Sequence, residues 1–157
     1  MVKFQQDAGT LCESFTDEKG EGASESCHNY GAVPAYFLSL YVLGVRTTGP
    51  VWEKQLLIEP RLGDLKYADG VVVTYHGAVP VSWKLSTDEK SLDYKIVIPE
   101  GIHATIHFPK LSDKSTVVMN GKVLMKEGIS KTSITTEGRW IVAKNVSGEC
   151  SGTVSGM

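Results

Sequence analysis

The hydrophobic pattern of the chain changes near residue 47. Before this point, residues 32–45 read AVPAYFLSLYVLGV and are apolar on every side of a helical projection. Pro34 suits the first turn of a helix and Gly44 the position just past its end, so the pattern predicts a helix over residues 33–43. Such a helix needs cover on every side, and it is shorter than the roughly 20 residues that span a bilayer. We therefore expect it to pack against the rest of the chain or against a second copy.

After residue 47 the pattern becomes a two-residue alternation interrupted by turns, which predicts strands. Asn120-Gly121 gives the clearest turn, because both residues tolerate the positive φ that a tight hairpin requires. Short strands separated by turns about every 8–12 residues are typical of an antiparallel β-sandwich or barrel. Residues 147–157 are small and polar, and we expect them to fray. The predicted strands cover 55–58, 71–75, 79–85, 94–98, 102–108, 116–119, 122–125, 130–136 and 139–144.

Charge and cysteine content exclude several classes of function. The chain carries 16 Lys and Arg against 18 Asp and Glu, a formal net charge of −2. This balance predicts neither a nucleic-acid partner nor binding to an anionic membrane. The cysteines, Cys12, Cys27 and Cys150, are scattered and form no CxxC pair. They do not predict a zinc site, and free buried thiols are favoured over a single disulfide.

Spacing offers few candidates for catalysis or metal binding. His103 and His107 share one face of a predicted strand but lie about 13 Å apart along it, too far to ligate one zinc ion. We interpret them as solvated imidazoles and expect no metal or other cofactor. Cys27 and His28 are neighbours in sequence, a poor arrangement for a nucleophile and its base. From spacing alone, Glu13 is an ordinary polar residue.

Aromatic residues raise a second hypothesis, a carbohydrate-binding module that works alone. Trp52, Tyr75 and Trp83 could offer flat faces to sugar rings. Trp83 lies within the apolar run VPVSWKL, so we expect it in the core of the sandwich. Trp52 and Tyr75 remain as exposed candidates. Aromatic side chains that line a shallow groove would favour binding, whereas buried ones would favour a structural role.

Several segments, read in order, resemble the C-terminal end of bacterial α-L-rhamnosidases of glycoside hydrolase family 78. The resemblance extends over residues 9–108, and its most specific part runs from Ser26 to Trp83. The segments that carry it are GTLCESF (9–15), ESCHNYGAVPAYFLSLYVLGV (25–45), VWEKQLLIEPRLGDLKYADGVVVTYHGAVPVSWK (51–84), IPEGIHATIHFP (98–109) and MNGK (119–122).

The resemblance implies a parent enzyme with an (α/α)6 barrel followed by a C-terminal β-sandwich. Such enzymes release terminal α-L-rhamnose with inversion and without a metal, using two glutamates. Glu13 matches the family's general base, and His28 matches a histidine that contacts bound rhamnose. Cys12 stands where Trp or Gly is common, and Asn29-Tyr30 replaces a frequent Gly-Trp or Ala-Trp.

The length of the first part limits what the chain is expected to do alone. Twelve barrel helices of about 12 residues each require on the order of 150 residues. We therefore assign residues 1–47 to a remnant of the barrel and residues 48–157 to the sandwich. The acidic partner of Glu13 would lie outside the chain, so we expect an inactive fragment whose sandwich supports the barrel. The helix over residues 33–43 is then a candidate surface for self-association.

Overall fold

The computed structural model describes residues 33–131 and 134–156, and these residues form mainly β-structure. The helical elements are α1 (Val33–Phe37), a π-helical turn (Leu38–Val42) and a 3₁₀ turn (Val51–Glu53). The strands are β1 (Val45–Thr47), β2 (Gln55–Ile58), β3 (Tyr67–Thr74), β4 (Gly77–Leu85), β5 (Ser91–Val97), β6 (His103–Pro109), β7 (Thr116–Met119), β8 (Lys122–Lys126), β9 (Ile129–Ser130), β10 (Ile134–Glu137), β11 (Trp140–Val146) and β12 (Glu149–Ser155).

The strands form two sheets, which confirms the predicted β-sandwich. The five-stranded sheet has the order β1-β2-β6-β11-β10, and the seven-stranded sheet has the order β3-β4-β5-β12-β7-β8-β9. Pairing is antiparallel except between β2 and β6, which run parallel with Gln55 opposite His103. Parallel neighbours need a long crossover connection, and here the chain forms β3, β4 and β5 of the other sheet before it returns.

The core lies between the sheets, where alternate residues of each strand point inward. The rings of Tyr94 and Phe108 meet there with centroids 4.6 Å apart, one from each sheet. Trp83 is buried, and its indole N–H donates to the carbonyl of Val42 at 2.9 Å, so the prediction that it belongs to the core is confirmed. Cys150 is a buried free thiol, as expected, and burial raises its pKa to about 12.

The hairpin at Asn120-Gly121 shows how local sequence determines local structure. Both residues have positive φ, 48° and 73°, and they connect β7 to β8 as predicted. The Asn120 side chain also bonds two backbone groups of β12, the N–H of Ser151 and the carbonyl of Glu149. The turn residues therefore hold a third strand in addition to reversing the chain.

The expectation that residues 147–157 fray is wrong. Residues Glu149–Ser155 form β12, a central strand that pairs with β5 on one side and β7 on the other. Small residues are required there rather than being a sign of disorder. A Cβ atom on Gly152 would lie 1.9 Å from the carbonyl oxygen of Val118 and 2.9 Å from the hydroxyl of Tyr94. That hydroxyl donates to the same carbonyl at 3.0 Å, through the space that glycine leaves.

The predicted helix is present over residues 33–42, and Gly44 follows its end with a φ of 76°. No residue of either helical element is buried within this chain, so cover by a second copy stays a prediction. Tyr36, Phe37 and Leu38 are about half exposed. Within the described residues, no helix is long and apolar enough to cross a membrane.

The chain divides into two compact units, residues 1–38 and 39–157. In the second unit, the segment that follows α1 is joined to the sandwich by backbone bonds and packing. The N–H of Arg61 donates to the carbonyl of Tyr41 at 2.8 Å, and the Arg61 guanidinium lies 5.1 Å from the centre of the Tyr41 ring. Leu43 belongs to the core cluster. The domain boundary at residue 47 stays a prediction.

Candidate functional site

A cluster of charged side chains surrounds Glu59, which directly follows β2. Glycine at position 44 allows the backbone before β1 to approach this point closely, and the N–H of Glu59 donates to the carbonyl of Gly44 at 2.9 Å. A Cβ atom on Gly44 would lie 2.3 Å from the carbonyl carbon of Glu59, and the positive φ also favours glycine. This close approach brings β1, with Arg46, beside the Glu59 carboxylate.

Glu59 is buried and binds three side chains through its two carboxylate oxygens. Oε1 accepts hydrogen bonds from Nη2 of Arg46 at 2.8 Å and Nη2 of Arg61 at 3.1 Å. Oε2 lies 2.8 Å from Nδ1 of His107 on β6. Burial raises the pKa of Glu59, but the bonds from His107, Arg61 and Arg46 outweigh it and hold that pKa below its usual value. The Glu59 side chain is therefore a charged carboxylate held in place by these bonds.

The histidine prediction is half right. His103 is exposed, as expected of a solvated imidazole, whereas His107 is largely buried against Glu59. The sequence does not reveal this contact because Glu59 and His107 are far apart along the chain. Within residues 33–131 and 134–156, no group of three His, Cys, Asp or Glu side chains is placed to hold a metal ion. Glu59, bound by two arginines, serves structure better than proton transfer.

The Glu59 cluster lies on the outer face of the five-stranded sheet, the face opposite the core. On β11, Val142 lies directly opposite His107 in register, so it points to the same side. Val142 is nevertheless fully buried and lies outside the main core cluster. The Trp140 ring lies 6.0 Å from the His107 ring, and the Arg139 guanidinium lies 5.8 Å from the centre of the Trp140 ring. This face therefore carries a covered, tightly bonded set of side chains.

The outer face of the seven-stranded sheet has a different character. A shallow groove of about 480 Å³ crosses β3, β4 and β5. Its outward-pointing side chains are polar or aromatic, and most are exposed. These groove residues are Tyr67, Asp69, Ser82, Lys84, Asp93 and Lys95.

The sequence-predicted site residues divide into two groups. Glu13 and His28, together with Cys12 and Cys27, lie outside the described residues. Trp52 and Tyr75 are strongly exposed, at 80% and 86%, but neither lines the groove. Sequence reasoning missed Tyr67, because the predicted strand starts at residue 71 and the observed strand starts at residue 67. The two-residue alternation of this strand continues toward the N-terminus through Asp69, and following it would have placed Tyr67 on the outward face.

The chain is similar to a known protein family and to solved structures. The family described as bacterial alpha-L-rhamnosidase C-terminal domain matches residues 44–122, half of the chain. No curated protein matches. The structure of alpha-L-rhamnosidase from Dictyoglumus thermophilum is 25% identical, with a TM-score of 0.76, and the match covers 99% of this chain and 17% of that one.

A second solved structure has the same fold. It is that of Streptomyces avermitilis alpha-L-rhamnosidase complexed with L-rhamnose, 17% identical, with a TM-score of 0.66. The match covers 98% of this chain and 14% of that chain. This chain thus spans about a sixth of the length of the first matched enzyme and about a seventh of the second. On the extent of the family match, the chain belongs to the bacterial alpha-L-rhamnosidase C-terminal domain family.

Proposed function

We propose that this chain is the C-terminal part of an inverting glycoside hydrolase that releases terminal α-L-rhamnose, and that it is inactive by itself. The observation that carries the proposal is the match of nearly the whole chain to about a sixth of an α-L-rhamnosidase, at 25% identity, together with the C-terminal domain family match over residues 44–122. An inverting glycosidase needs two carboxyl groups on opposite sides of the scissile bond. A chain that spans a sixth of such an enzyme leaves room for one of them, Glu13, as general base, with His28 as a contact to the sugar.

The sandwich would serve as a rigid support for the catalytic barrel. Its five-stranded sheet is the suitable side, because Val142, an apolar residue, points away from the core there where a solvated face would carry a polar one. The Glu59 cluster fixes β1, β2 and β6 relative to one another on the same face. The apolar segment 33–42, with Tyr36 and Leu38 about half exposed, is a further surface for this contact. Self-association through residues 33–43 is the competing use of that segment.

The test uses an aryl α-L-rhamnoside and two forms of the protein, the chain itself and a longer protein that includes the coding region upstream. We expect no release of the aryl group by the chain and clear release by the longer protein. Glu13→Gln should then lower kcat about 10²–10⁴-fold, because that is the usual contribution of a general base. Glu18→Gln, which removes another carboxylate close by in the sequence, is the matched control and should change little.

Two results would contradict the proposal. Activity of the longer protein that survives Glu13→Gln would remove Glu13 from the mechanism. NMR of the first-formed sugar would show the β-anomer if hydrolysis inverts, and detection of the α-anomer would exclude inversion. The chain should also sediment as a monomer if residues 33–43 serve only the contact with the barrel, whereas a dimer disrupted by Leu38→Glu would favour self-association.

A further inference from the structure

We propose that the groove on the outer face of the seven-stranded sheet binds a neutral oligosaccharide, with Tyr67 as the stacking surface and Asp69, Lys84 and Asp93 as hydrogen-bonding groups. This inference goes beyond the proposed function, because it assigns sugar binding to the sandwich itself. It depends on β3, β4 and β5 alone and does not require Glu13 or His28 to be catalytic.

The strand registers place the groove residues in a regular grid. Tyr67 lies opposite Lys84, and Lys84 lies opposite Asp93, so one row crosses three strands. A second row runs from Asp69 through Ser82 to Lys95. Neighbours in a row are separated by about 5 Å and the rows by about 7 Å. These spacings are comparable to the width of a sugar ring, so groups in the grid can bond hydroxyl groups on opposite sides of one sugar.

Tyr67 supplies the apolar part of the site. Its side chain is 71% exposed at one edge of the groove, on the edge strand of the sheet. A phenol ring has an apolar face that can cover the C–H face of a pyranose and a hydroxyl that bonds at its rim. An aromatic ring exposed beside a row of polar groups is therefore a chemical match for a sugar, which has the same mixture of apolar and polar surface.

The charges of the groove select against a charged ligand. Two acidic side chains, Asp69 and Asp93, face two basic ones, Lys84 and Lys95, so the lining has no net charge. Lys95 is already paired with Glu149 at 2.9 Å, and Asp93 accepts a hydrogen bond from the Thr153 hydroxyl at 2.8 Å. A polyanion would meet two carboxylates without an excess of cations to compensate. A neutral glycan can use both donors and acceptors.

The groove continues into a smaller depression of about 170 Å³. The two share Asp69, Ser82 and Lys95, and the depression adds Val71 and Pro80 among its lining residues. Val71 and Pro80 offer an apolar contact that suits the methyl group of a 6-deoxy hexose better than a hydroxymethyl group. Rhamnose belongs to this class, and this refinement alone rests on the proposed function.

The experiment titrates the chain with oligosaccharides and follows binding by calorimetry and by amide chemical shifts. The probes are α-L-rhamnosyl oligosaccharides of three to six sugars, gluco-oligosaccharides of the same length, and oligogalacturonates as the charged comparison. We expect the neutral probes to shift the amides of residues 67–69, 82–84 and 93–95, with rhamnosyl probes binding most tightly. Tyr67→Ala should weaken binding roughly tenfold, and Tyr67→Phe should retain most of it.

Tyr75→Ala is the matched control, because Tyr75 is at least as exposed as Tyr67 but lies outside the groove. The thermal midpoints of the two alanine variants should equal that of the wild type, since both side chains are largely solvated. Three results would overturn the proposal: no binding of any neutral probe at millimolar concentration, binding that Tyr67→Ala leaves unchanged, or binding of oligogalacturonate alone. None of these outcomes bears on the hydrolysis assay, so the two proposals fail separately.

Discussion

The two outer faces of the sandwich are built from the same alternation of residues but use their charges differently. On the five-stranded sheet, Glu59 is buried and bound by Arg46, Arg61 and His107. On the seven-stranded sheet, the charges that line the groove are exposed. Buried charges must be paired to be tolerated, whereas exposed charges contribute little to stability and remain available to a ligand. The first face is therefore suited to structure and the second to binding.

Glu59→Gln should have the largest effect on this comparison. It keeps the shape of the side chain but leaves Arg46 and His107 facing a neutral amide, so we expect a loss of about 2 kcal/mol in the free energy of unfolding. Urea denaturation measures the change. Glu149→Gln removes a carboxylate from the pair with Lys95, in which both side chains are more than half exposed, and serves as the control. Equal losses for the two variants would contradict the distinction between the faces.

The contribution of Glu59 to stability should depend on pH, and acid titration can measure this dependence. The pKa of Glu59 is lowered on folding, so its contribution to stability is present above its ordinary pKa near 4.5 and is lost as the pH falls through the folded value. Below about pH 4.5, the free energy of unfolding of the wild type should therefore fall more steeply than that of Glu59→Gln. Parallel curves for the two proteins would show that Glu59 titrates normally.

His107→Gln should cost less, about 1 kcal/mol, because the amide can still donate to Glu59 while the contact with Trp140 is weakened. His103→Gln is the matched control on the same face of β6, and its exposed side chain predicts no measurable change. Thermal unfolding of the two variants provides the measurement. A larger loss from His103→Gln would show that the exposed histidine, not the bonded one, stabilises this face.

Substitutions in the groove should have the smallest effect on stability. Lys84→Gln and Asp69→Asn alter exposed charges, and each should change the free energy of unfolding by less than about 0.5 kcal/mol. The same variants should weaken binding of the rhamnosyl probes. A large loss of stability from either variant would show that the groove charges stabilise the fold, as the Glu59 cluster does. It would then contradict the assignment of the groove as an open binding site.

The parts of this fold that were predictable are those determined by neighbouring residues. The apolar run of β2 and the Asn120-Gly121 hairpin were found at their observed positions, since alternation and turn chemistry are local signals. The parallel pairing of β2 with β6 was not predicted, because it depends on a return of the chain after three strands of the other sheet. β12 was missed because its central glycine is required by packing, which composition cannot reveal.

The candidate sites follow the same rule. Glu13 and His28 were identified only through a resemblance, and their roles stay predictions. No sequence pattern singles out Glu59, and its importance appears only when β1 and β6 are brought beside it. The groove requires the registers of three strands, so no pattern within a single strand could predict it. Period-two polarity identifies the outward positions but not which of them become neighbours.

The position of β12 has a consequence for how the protein is made. It is the only link between β3-β4-β5 and β7-β8-β9 among the described residues of the seven-stranded sheet, and it is synthesised after all six of those strands. Hairpins can form as the chain leaves the ribosome, but the complete sheet cannot form until β12 has also left it. Until then, β5 and β7 expose unpaired edges, which are prone to aggregation. Nascent chains that stall before residue 149 should therefore depend on chaperones more than the finished protein does.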